Sequence, residues 1–199
     1  MTTRNRPSLL LLACLGATAL LTACTPGSPE AGRPNTTPTS APAPTTTPTS
    51  TATDTLPTGA PTRPATANGL GLSAAESFVG HYVALLNYAY ATGDTEPMLA
   101  ASDKGCVGCK GTADYLNTTN GRNGGLTGDY ADHLVAVKDL FRGSSGRVGG
   151  SLTVRSGNYT ERVSPTAAPA QKKAHTETWQ FTLSPTGGNW VMYEIQVEG

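Results

Sequence analysis

Cys106 and Cys109 are the residues of this chain whose types and spacing most directly suggest chemistry. A C-x-x-C pair exchanges electrons when its first cysteine lies at a helix N-terminus, where the thiolate is stabilised. The sequence instead places this pair after a short predicted helix and Gly105, with no strand before it. This pattern favours a structural disulfide that pins the corner between two helices, and it leaves redox activity and metal binding as alternatives. Zinc would need further ligands, and the histidines lie far apart along the chain: His81, His133 and His175.

Cys24 offers a different chemistry, because it follows an export signal. Arg4 and Arg6 precede an apolar run from Leu9 to Leu20, and small residues close it, as in a secretory signal peptide. The run is about 15 residues long, whereas a membrane span needs roughly 20. A cysteine directly after Leu-Thr-Ala resembles the lipobox of bacterial lipoproteins, in which the thiol receives a diacylglyceryl group. We therefore expect a lipoprotein signal peptide over residues 1–23 and a lipidated Cys24, with ordinary signal cleavage as the alternative.

Three tyrosines and two aspartates near the middle of the chain could serve proton transfer. Tyr82, Tyr88 and Tyr90 follow one another on a predicted helix, and Asp94 and Asp103 come soon after. A tyrosine hydroxyl and a carboxylate can act together as acid and base if their pKa values are shifted. The alternative is that Tyr82 packs in the core and that Asp94 caps the next helix. We assign no catalytic residue, cofactor or metal ligand, and we expect a protein that is not an enzyme.

The charge and composition of the chain limit its partners and its redox state. The precursor has 14 basic and 14 acidic residues, and removal of residues 1–23 takes away only two arginines, which leaves a formal charge of −2. No basic stripe remains, so nucleic-acid binding is not indicated. Once Cys14 leaves with the signal and Cys24 is acylated, Cys106 and Cys109 form an even pair in an oxidising compartment, which favours a disulfide.

The chain divides into three parts by composition. After residues 1–23, the lipidated Cys24 and a Thr/Pro/Ala-rich stretch make up residues 24–70. Such a stretch offers too little apolar surface to offset its ordering entropy, and it predicts a disordered linker that O-glycosylation could modify. Residues 71–199 suit one α+β globular domain.

A long helix is predicted over residues 74–92, at the start of this domain. Ser73 and Glu76 have the spacing of a capping box, and Gly93 stands where a C-terminal cap belongs. A second helix is expected from Thr95 to Ala101, and a third after Cys109. Apolar side chains recur with helical spacing in the first: Phe78, Tyr82, Leu85, Leu86 and Ala89.

The C-terminal third alternates apolar and polar residues, as a strand does. Residues 176–183 and 191–197 flank a glycine turn and predict a hairpin. Its expected buried side chains are Trp179, Phe181, Leu183, Val191, Tyr193, Ile195 and Val197. Trp190 and Met192 would then form a second apolar face, either a partner surface or the other side of a covered sheet. Earlier strands are expected over residues 152–155 and 133–141, the latter also compatible with a helix, and residues 165–173 read as an exposed connection.

Helices followed by antiparallel strands resemble the NTF2-like cone fold, in which a long N-terminal helix lies across a curved sheet and closes a pocket. Residues 78–94 and 106–109 are similar to an uncharacterised lipoprotein domain family of actinobacteria. The resemblance implies N-terminal helices packed on a curved antiparallel sheet of about four strands, in a lipid-anchored protein outside the cytoplasm. It implies no activity, because the family has none assigned and fold does not fix function.

These observations leave three hypotheses for a protein held at the outer face of the cell membrane by its lipid anchor. A module that binds an envelope protein should expose a contiguous apolar patch and have no deep cavity. A carrier of a small apolar ligand should have a pocket between the first helix and the sheet. An enzyme should hold, in that pocket, a carboxylate or tyrosine with a displaced pKa. The interaction module is the primary expectation.

Overall fold

The computed structural model describes residues 58–197, and its longest element is the helix α1, Leu72–Thr92. As predicted, α1 ends at Gly93, whose left-handed φ of 74° closes the last turn. The predicted capping box is wrong, because Gly71 is the N-cap and no side chain caps the helix. Ser73 is already helical, since the Trp190 indole and the Arg142 guanidinium bind the carbonyls of Gly71 and Leu70 and set where the helix begins.

Two shorter helices and seven strands follow α1. The helices are α2 (Glu96–Ala100) and α3 (Val107–Thr119). The strands are β1 (Leu126–Gly128), β2 (His133–Arg142), β3 (Val148–Ser156), β4 (Tyr159–Glu161), β5 (Ala170–Lys172), β6 (His175–Thr186) and β7 (Asn189–Val197). The predicted α2 is confirmed, and α3 begins two residues before Cys109 rather than after it. Residues 133–141 are part of a strand and not of a helix.

The main sheet is antiparallel, with the strand order β2-β3-β6-β7, and α1 packs against β2, β3 and β7. The predicted α+β class, with N-terminal helices on a four-stranded antiparallel sheet, is confirmed. Register shifts in β2 at Leu134/Ala136 and Lys138/Phe141 are bulges, which bend a sheet. The second bulge holds Asp139 at a φ of 56°. The α1 helix across a bent sheet is the arrangement that the NTF2-like resemblance implies.

A second, small sheet was not predicted. Its strands have the order β1-β4-β5, and all three are three residues long. One of them, β5, lies in the stretch 165–173 that the sequence suggested was only a connection. Strands this short carry little periodic signal, and their pairing joins segments that are distant in the chain.

The buried face of β7 differs from the prediction because of a bulge. Thr182 pairs with Glu194 but Leu183 pairs with Met192, so that Tyr193 is an extra residue on β7. An extra residue reverses which alternate positions face the core. Trp190 and Met192 are therefore fully buried on the core face. Neither alternative proposed for them, a partner surface or the far side of a covered sheet, is correct.

The folded part begins before residue 71. Residues 65–67 form a short 3₁₀ helix, and Ala67 is fully buried. Arg63 stacks 4.5 Å from the Phe78 ring centroid and donates a hydrogen bond of 2.7 Å to the Trp190 carbonyl. The backbone N–H of Gly69 donates to the Asn189 side chain at 2.9 Å. Residues 63–70 thus pack on the domain although they were placed in the linker, because a single arginine and the hairpin hold them.

Three predictions lie outside the described residues. These are the signal peptide over residues 1–23, the lipidation of Cys24, and the linker from residue 24 up to residue 57. Within residues 58–197, no helix has both the length and the apolar character that a membrane span requires.

Candidate functional site

The disulfide between Cys106 and Cys109 is present and joins the start of α3 to its own first turn. Cys106 is the N-cap of α3, and its sulfur accepts a hydrogen bond from the backbone N–H of Cys109. The first cysteine therefore does lie at a helix N-terminus, contrary to the sequence argument against redox chemistry. The argument against redox activity rests on burial instead, because Cys106 is 1 % exposed and Cys109 is 0 % exposed. Reactive cysteines are partly exposed, so this burial favours the structural role expected from the sequence.

The tyrosines and aspartates picked out from the sequence do not form one site. Tyr82 is buried, its hydroxyl is 2.9 Å from the Ser102 hydroxyl, and burial raises its pKa to about 12. Asp94 accepts hydrogen bonds from the Tyr88 hydroxyl and from the backbone N–H of Glu96, the first residue of α2, although the N-cap of α2 is Thr95. Asp103 accepts from the backbone N–H of Gly105. Of the five residues, Tyr90 alone lines either of the two cavities described next.

An apolar cavity of about 440 Å³ lies between α1, α3 and the sheet. This volume is within the roughly 300–1,000 Å³ that small-molecule sites occupy. Its walls are mostly apolar or aromatic: Leu86 and Tyr90 of α1, Gly108, Gly111, Thr112 and Tyr115 of α3, and Trp179, Ile195, Gln196 and Val197 of the sheet. A ligand here would contact both helices and both strands of the β6–β7 hairpin.

A polar cavity of about 280 Å³ adjoins the apolar one. The two share Tyr90, Tyr115, Trp179 and Val197 as lining residues. The remaining walls of the polar cavity are Leu126, Tyr130, Asp132, Ser156, Tyr159, Glu161, Lys172, His175 and Glu177. The small sheet, absent from the prediction, supplies Tyr159, Glu161 and Lys172. The two cavities therefore lie side by side and form a recess with an apolar end and an ionisable, aromatic end.

Two of the three carboxylates in the polar cavity are paired. Glu161 accepts a 2.6 Å hydrogen bond from the Tyr115 hydroxyl and lies 3.0 Å from the Lys172 ammonium. Burial by itself would raise the pKa of Glu161, but the bonds from Tyr115 and Lys172 outweigh it and hold the pKa below its ordinary value. Glu177 lies 2.9 Å from His175 and accepts a 3.1 Å hydrogen bond from the Trp179 indole. Both glutamates are therefore fixed by neighbouring donors.

Asp132 is the exception among these carboxylates. It is 9 % exposed, and among the described residues its Oδ2 is buried without a hydrogen-bond partner. Burial, assisted by the charge of Glu177, raises the pKa of Asp132 to about 6, although His175 and His133 act in the opposite direction. Burial and the charge of Asp132 also raise the pKa of Tyr90 well above its ordinary value. The cavity therefore contains a carboxylate oxygen, Oδ2 of Asp132, that has no hydrogen-bond partner in the described part of the chain.

Sequence reasoning missed Asp132, Glu161, Lys172 and Glu177. A signal existed for Glu177, because it is in phase with Trp179 and Phe181 on the buried face of β6. A charged residue at a buried-face position indicates a partner or a functional cavity. The other three lie in a loop or in strands too short to show a period, so no pattern could have grouped them. Metal binding gains no support, since no group of three or more potential ligands occurs in the part of the chain that the structure describes.

The comparisons with known proteins place the chain in a family without giving it an activity. A model described as "Family of unknown function (DUF6318)" matches residues 46–196. None of the curated proteins matches the chain. The intermembrane space region of the chloroplast protein ARC6 is 19 % identical, with 64 % of this chain and 95 % of that chain covered and a TM-score of 0.48. Aln2 from a Streptomyces species is 16 % identical, with 60 % and 86 % covered and a TM-score of 0.42.

Proposed function

Because the chain belongs to the DUF6318 family, whose function is unknown, its activity has to be inferred from its own site, and we propose that it binds a small molecule in the recess between α1, α3 and the sheet. The observation that carries this proposal is that an apolar and a polar cavity lie side by side and share Tyr90, Tyr115, Trp179 and Val197 as lining residues. A mostly apolar pocket with a few convergent polar groups is the usual form of a ligand site. Ligand carriage, the alternative to the interaction module, becomes the preferred function.

Gly111 provides separate support, because its lack of a side chain has no packing reason. A glycine inside a helix costs about 1 kcal/mol relative to alanine. At Gly108 the reason is contact, since an added Cβ would lie 2.7 Å from the Ile195 carbonyl oxygen. At Gly111 an added Cβ would meet nothing within 4 Å, and Gly111 lines the apolar cavity. Gly111 is an exposed position of α3, so the space beside it is the open side of this cavity, and a side chain there would narrow the opening.

The second part of the proposal concerns where the binding occurs. The charged residues before Leu9, the apolar run, and the Leu-Thr-Ala segment before Cys24 support export and acylation at Cys24. Two or more acyl chains on one residue anchor a protein stably, at about 0.8 kcal/mol per buried methylene. The domain would then present its recess outside the cytoplasm at the membrane surface.

Filling the apolar cavity is expected to abolish binding of an apolar probe. The protein, carrying Cys24→Ser so that no acyl chain competes, is titrated with N-phenylnaphthylamine, a neutral dye that fluoresces in apolar surroundings. Gly111→Leu places a side chain in the open space and should weaken dye binding at least about tenfold, the equivalent of 1.4 kcal/mol. The readout is dye fluorescence together with quenching of Trp179.

Lys110→Leu is the matched control, because it adds the same side chain at the adjacent exposed position of α3, which lines neither cavity. It should bind the dye as the parent protein does. Equal binding by all three proteins would place the dye elsewhere and refute a functional recess.

Replacing Cys24 by alanine is expected to move the protein out of the membrane fraction or to leave an unprocessed precursor. The reason is that alanine cannot receive the diacylglyceryl group. Fractionation of host cells and intact-mass measurement of the N-terminus provide the test. Normal processing with unchanged membrane retention would contradict the proposed anchor.

Asp132 favours a second candidate, an enzyme that transfers protons. Its pKa of about 6 is close to neutral pH, as an acid–base catalyst requires. To distinguish a carrier from an enzyme, the natural ligand has to be recovered by gentle purification of the protein from the host. Incubation of that ligand with the protein in D₂O should leave its mass unchanged if the protein is a carrier, and deuterium incorporation that depends on Asp132 would indicate catalysis.

A further inference from the structure

Asp132 is held in its buried place by α1 and not by its own side chain. The Asn87 amide nitrogen donates to the backbone carbonyl of Asp132 at 2.9 Å, and the backbone N–H of Asp132 donates to the Asn87 oxygen at 2.8 Å. This two-point contact fixes the main chain just before β2. The carboxylate is therefore positioned at the polar cavity by bonds of its main chain, and its buried Oδ2 has no hydrogen-bond partner among the described residues.

A buried carboxylate without donors is costly, and the cost persists only where something else compensates it. The nearby basic side chains do not, because Lys172 lies against Glu161 and His175 lies against Glu177. The polar cavity thus has three carboxylates for one lysine and one histidine. Among the described residues, no positive charge and no hydrogen-bond donor is paired with the buried Oδ2 of Asp132.

The other side chains of the polar cavity suit an organic cation. Tyr90, Tyr130, Tyr159 and Trp179 line it, and the faces of aromatic rings attract ammonium groups, most strongly away from water. An anionic head group would meet the excess of carboxylates. The adjoining apolar cavity, between Leu86, Ile195 and Val197, would receive an aliphatic or aromatic body.

We propose that the ligand class is a small amphipathic amine, whose protonated nitrogen pairs with Asp132 and whose apolar part fills the cavity beside Gly111. This inference rests on the proposed binding function and adds the chemistry of the ligand to it. It also explains why Oδ2 of Asp132 has no hydrogen-bond partner within residues 58–197, because the partner is the ligand.

Three probes of equal chain length test the inference: n-octylammonium, n-octanol and octanoate. They are titrated by calorimetry into the protein with Cys24→Ser at about pH 8, where Asp132 is ionised. Octylammonium is expected to bind at least about tenfold more tightly than octanol, and octanoate more weakly than both, since a charge-assisted hydrogen bond contributes more than a neutral one.

The variant Asp132→Asn keeps the size of the side chain and removes its charge. It should bind octylammonium about tenfold more weakly and octanol with nearly unchanged affinity. Asp114→Asn, on the exposed face of α3 and outside both cavities, makes the same change in net charge and should leave all three affinities unaltered. At about pH 5, protonation of Asp132 should reduce the preference for the amine in the parent protein.

The outcomes separate the two proposals. Equal affinity for octylammonium and octanol, or an amine preference that survives Asp132→Asn, would overturn the amine inference and leave the binding function intact. Failure of all three probes, together with failure of the neutral dye, would overturn the binding function itself.

Discussion

Replacing Asp132 by asparagine is expected to stabilise the unliganded domain at about pH 8, by about 1–3 kcal/mol in the free energy of unfolding. Burial raises the pKa of Asp132 in the folded state from its ordinary 3.8 to about 6, so the folded protein resists ionisation more than the unfolded chain does. A pKa rise of this size corresponds to at most about 3 kcal/mol, and solvent at the mouth of the cavity reduces that figure. Asparagine is neutral in both states and removes the cost.

The raised pKa of Asp132 also determines how the stability difference between the variant and the parent changes with pH. Near pH 4 the folded carboxyl is protonated and the unfolded one is about half ionised, so the cost is small. The free-energy cost of ionising buried Asp132 grows as the pH rises from about 4 to 6, and it reaches its full size above about pH 7. The groups that face Asp132 are Glu177, His175 and His133, and of these Glu177 strengthens the cost while the histidines weaken it.

Urea unfolding at about pH 4, 6 and 8 is the measurement. The stability difference between Asp132→Asn and the parent should grow across this series, while Asp114→Asn should give a flat line. Destabilisation by Asp132→Asn at pH 8 would mean that the carboxylate has donors on which the fold depends, and the argument for an unsatisfied binding group would fail. Stabilisation would agree with retention of Asp132 for binding, because functional sites often cost a protein stability.

The largest loss of stability is expected from Trp190→Ala, about 3–5 kcal/mol, as for other buried aromatic side chains. Trp190 is fully buried, its indole N–H donates to the Gly71 carbonyl at 3.1 Å, and Arg142 lies 5.0 Å from its ring centroid. The variant loses the packing of the indole under α1 and also the hydrogen bond that fixes the start of α1. Far-UV circular dichroism during denaturation is the suitable readout, because the mutation removes a tryptophan.

Tyr193→Ala is the matched comparison, three residues further along β7. Tyr193 also stacks with an arginine, Arg147, at 3.6 Å from its ring centroid, but it lies on the outer face and is only partly buried. Its removal should cost about 1 kcal/mol or less. Equal losses from Trp190→Ala and Tyr193→Ala would contradict the bulge and the assignment of faces on β7.

Much of the local structure could be predicted, because it depends on periodicity over long segments. The helical spacing from Phe78 to Ala89 and the αL position of Gly93 define α1, and the alternation around Trp179 defines β6. The disulfide likewise followed from the number of cysteines and the export signal. The face of β7 could not be predicted, since a single bulge at Tyr193 reverses the alternation and nothing in the local sequence marks it.

The sequence by itself determined the segments that are governed by neighbouring residues: the helices, the β6–β7 hairpin, the disulfide, and the expectation of export with acylation at Cys24. Only the tertiary structure decided the site, because the β4–β5 pairing brings Glu161 and Lys172 together, while Asn87 of α1 holds Asp132 at the same cavity as Glu177 of β6. The physical reason is that burial and unmet hydrogen bonds are properties of an assembled cavity. An aspartate before a strand is common in sequences. Asp132 becomes a candidate ligand-binding group only in the folded domain, where Asn87 and the surrounding tyrosines enclose it.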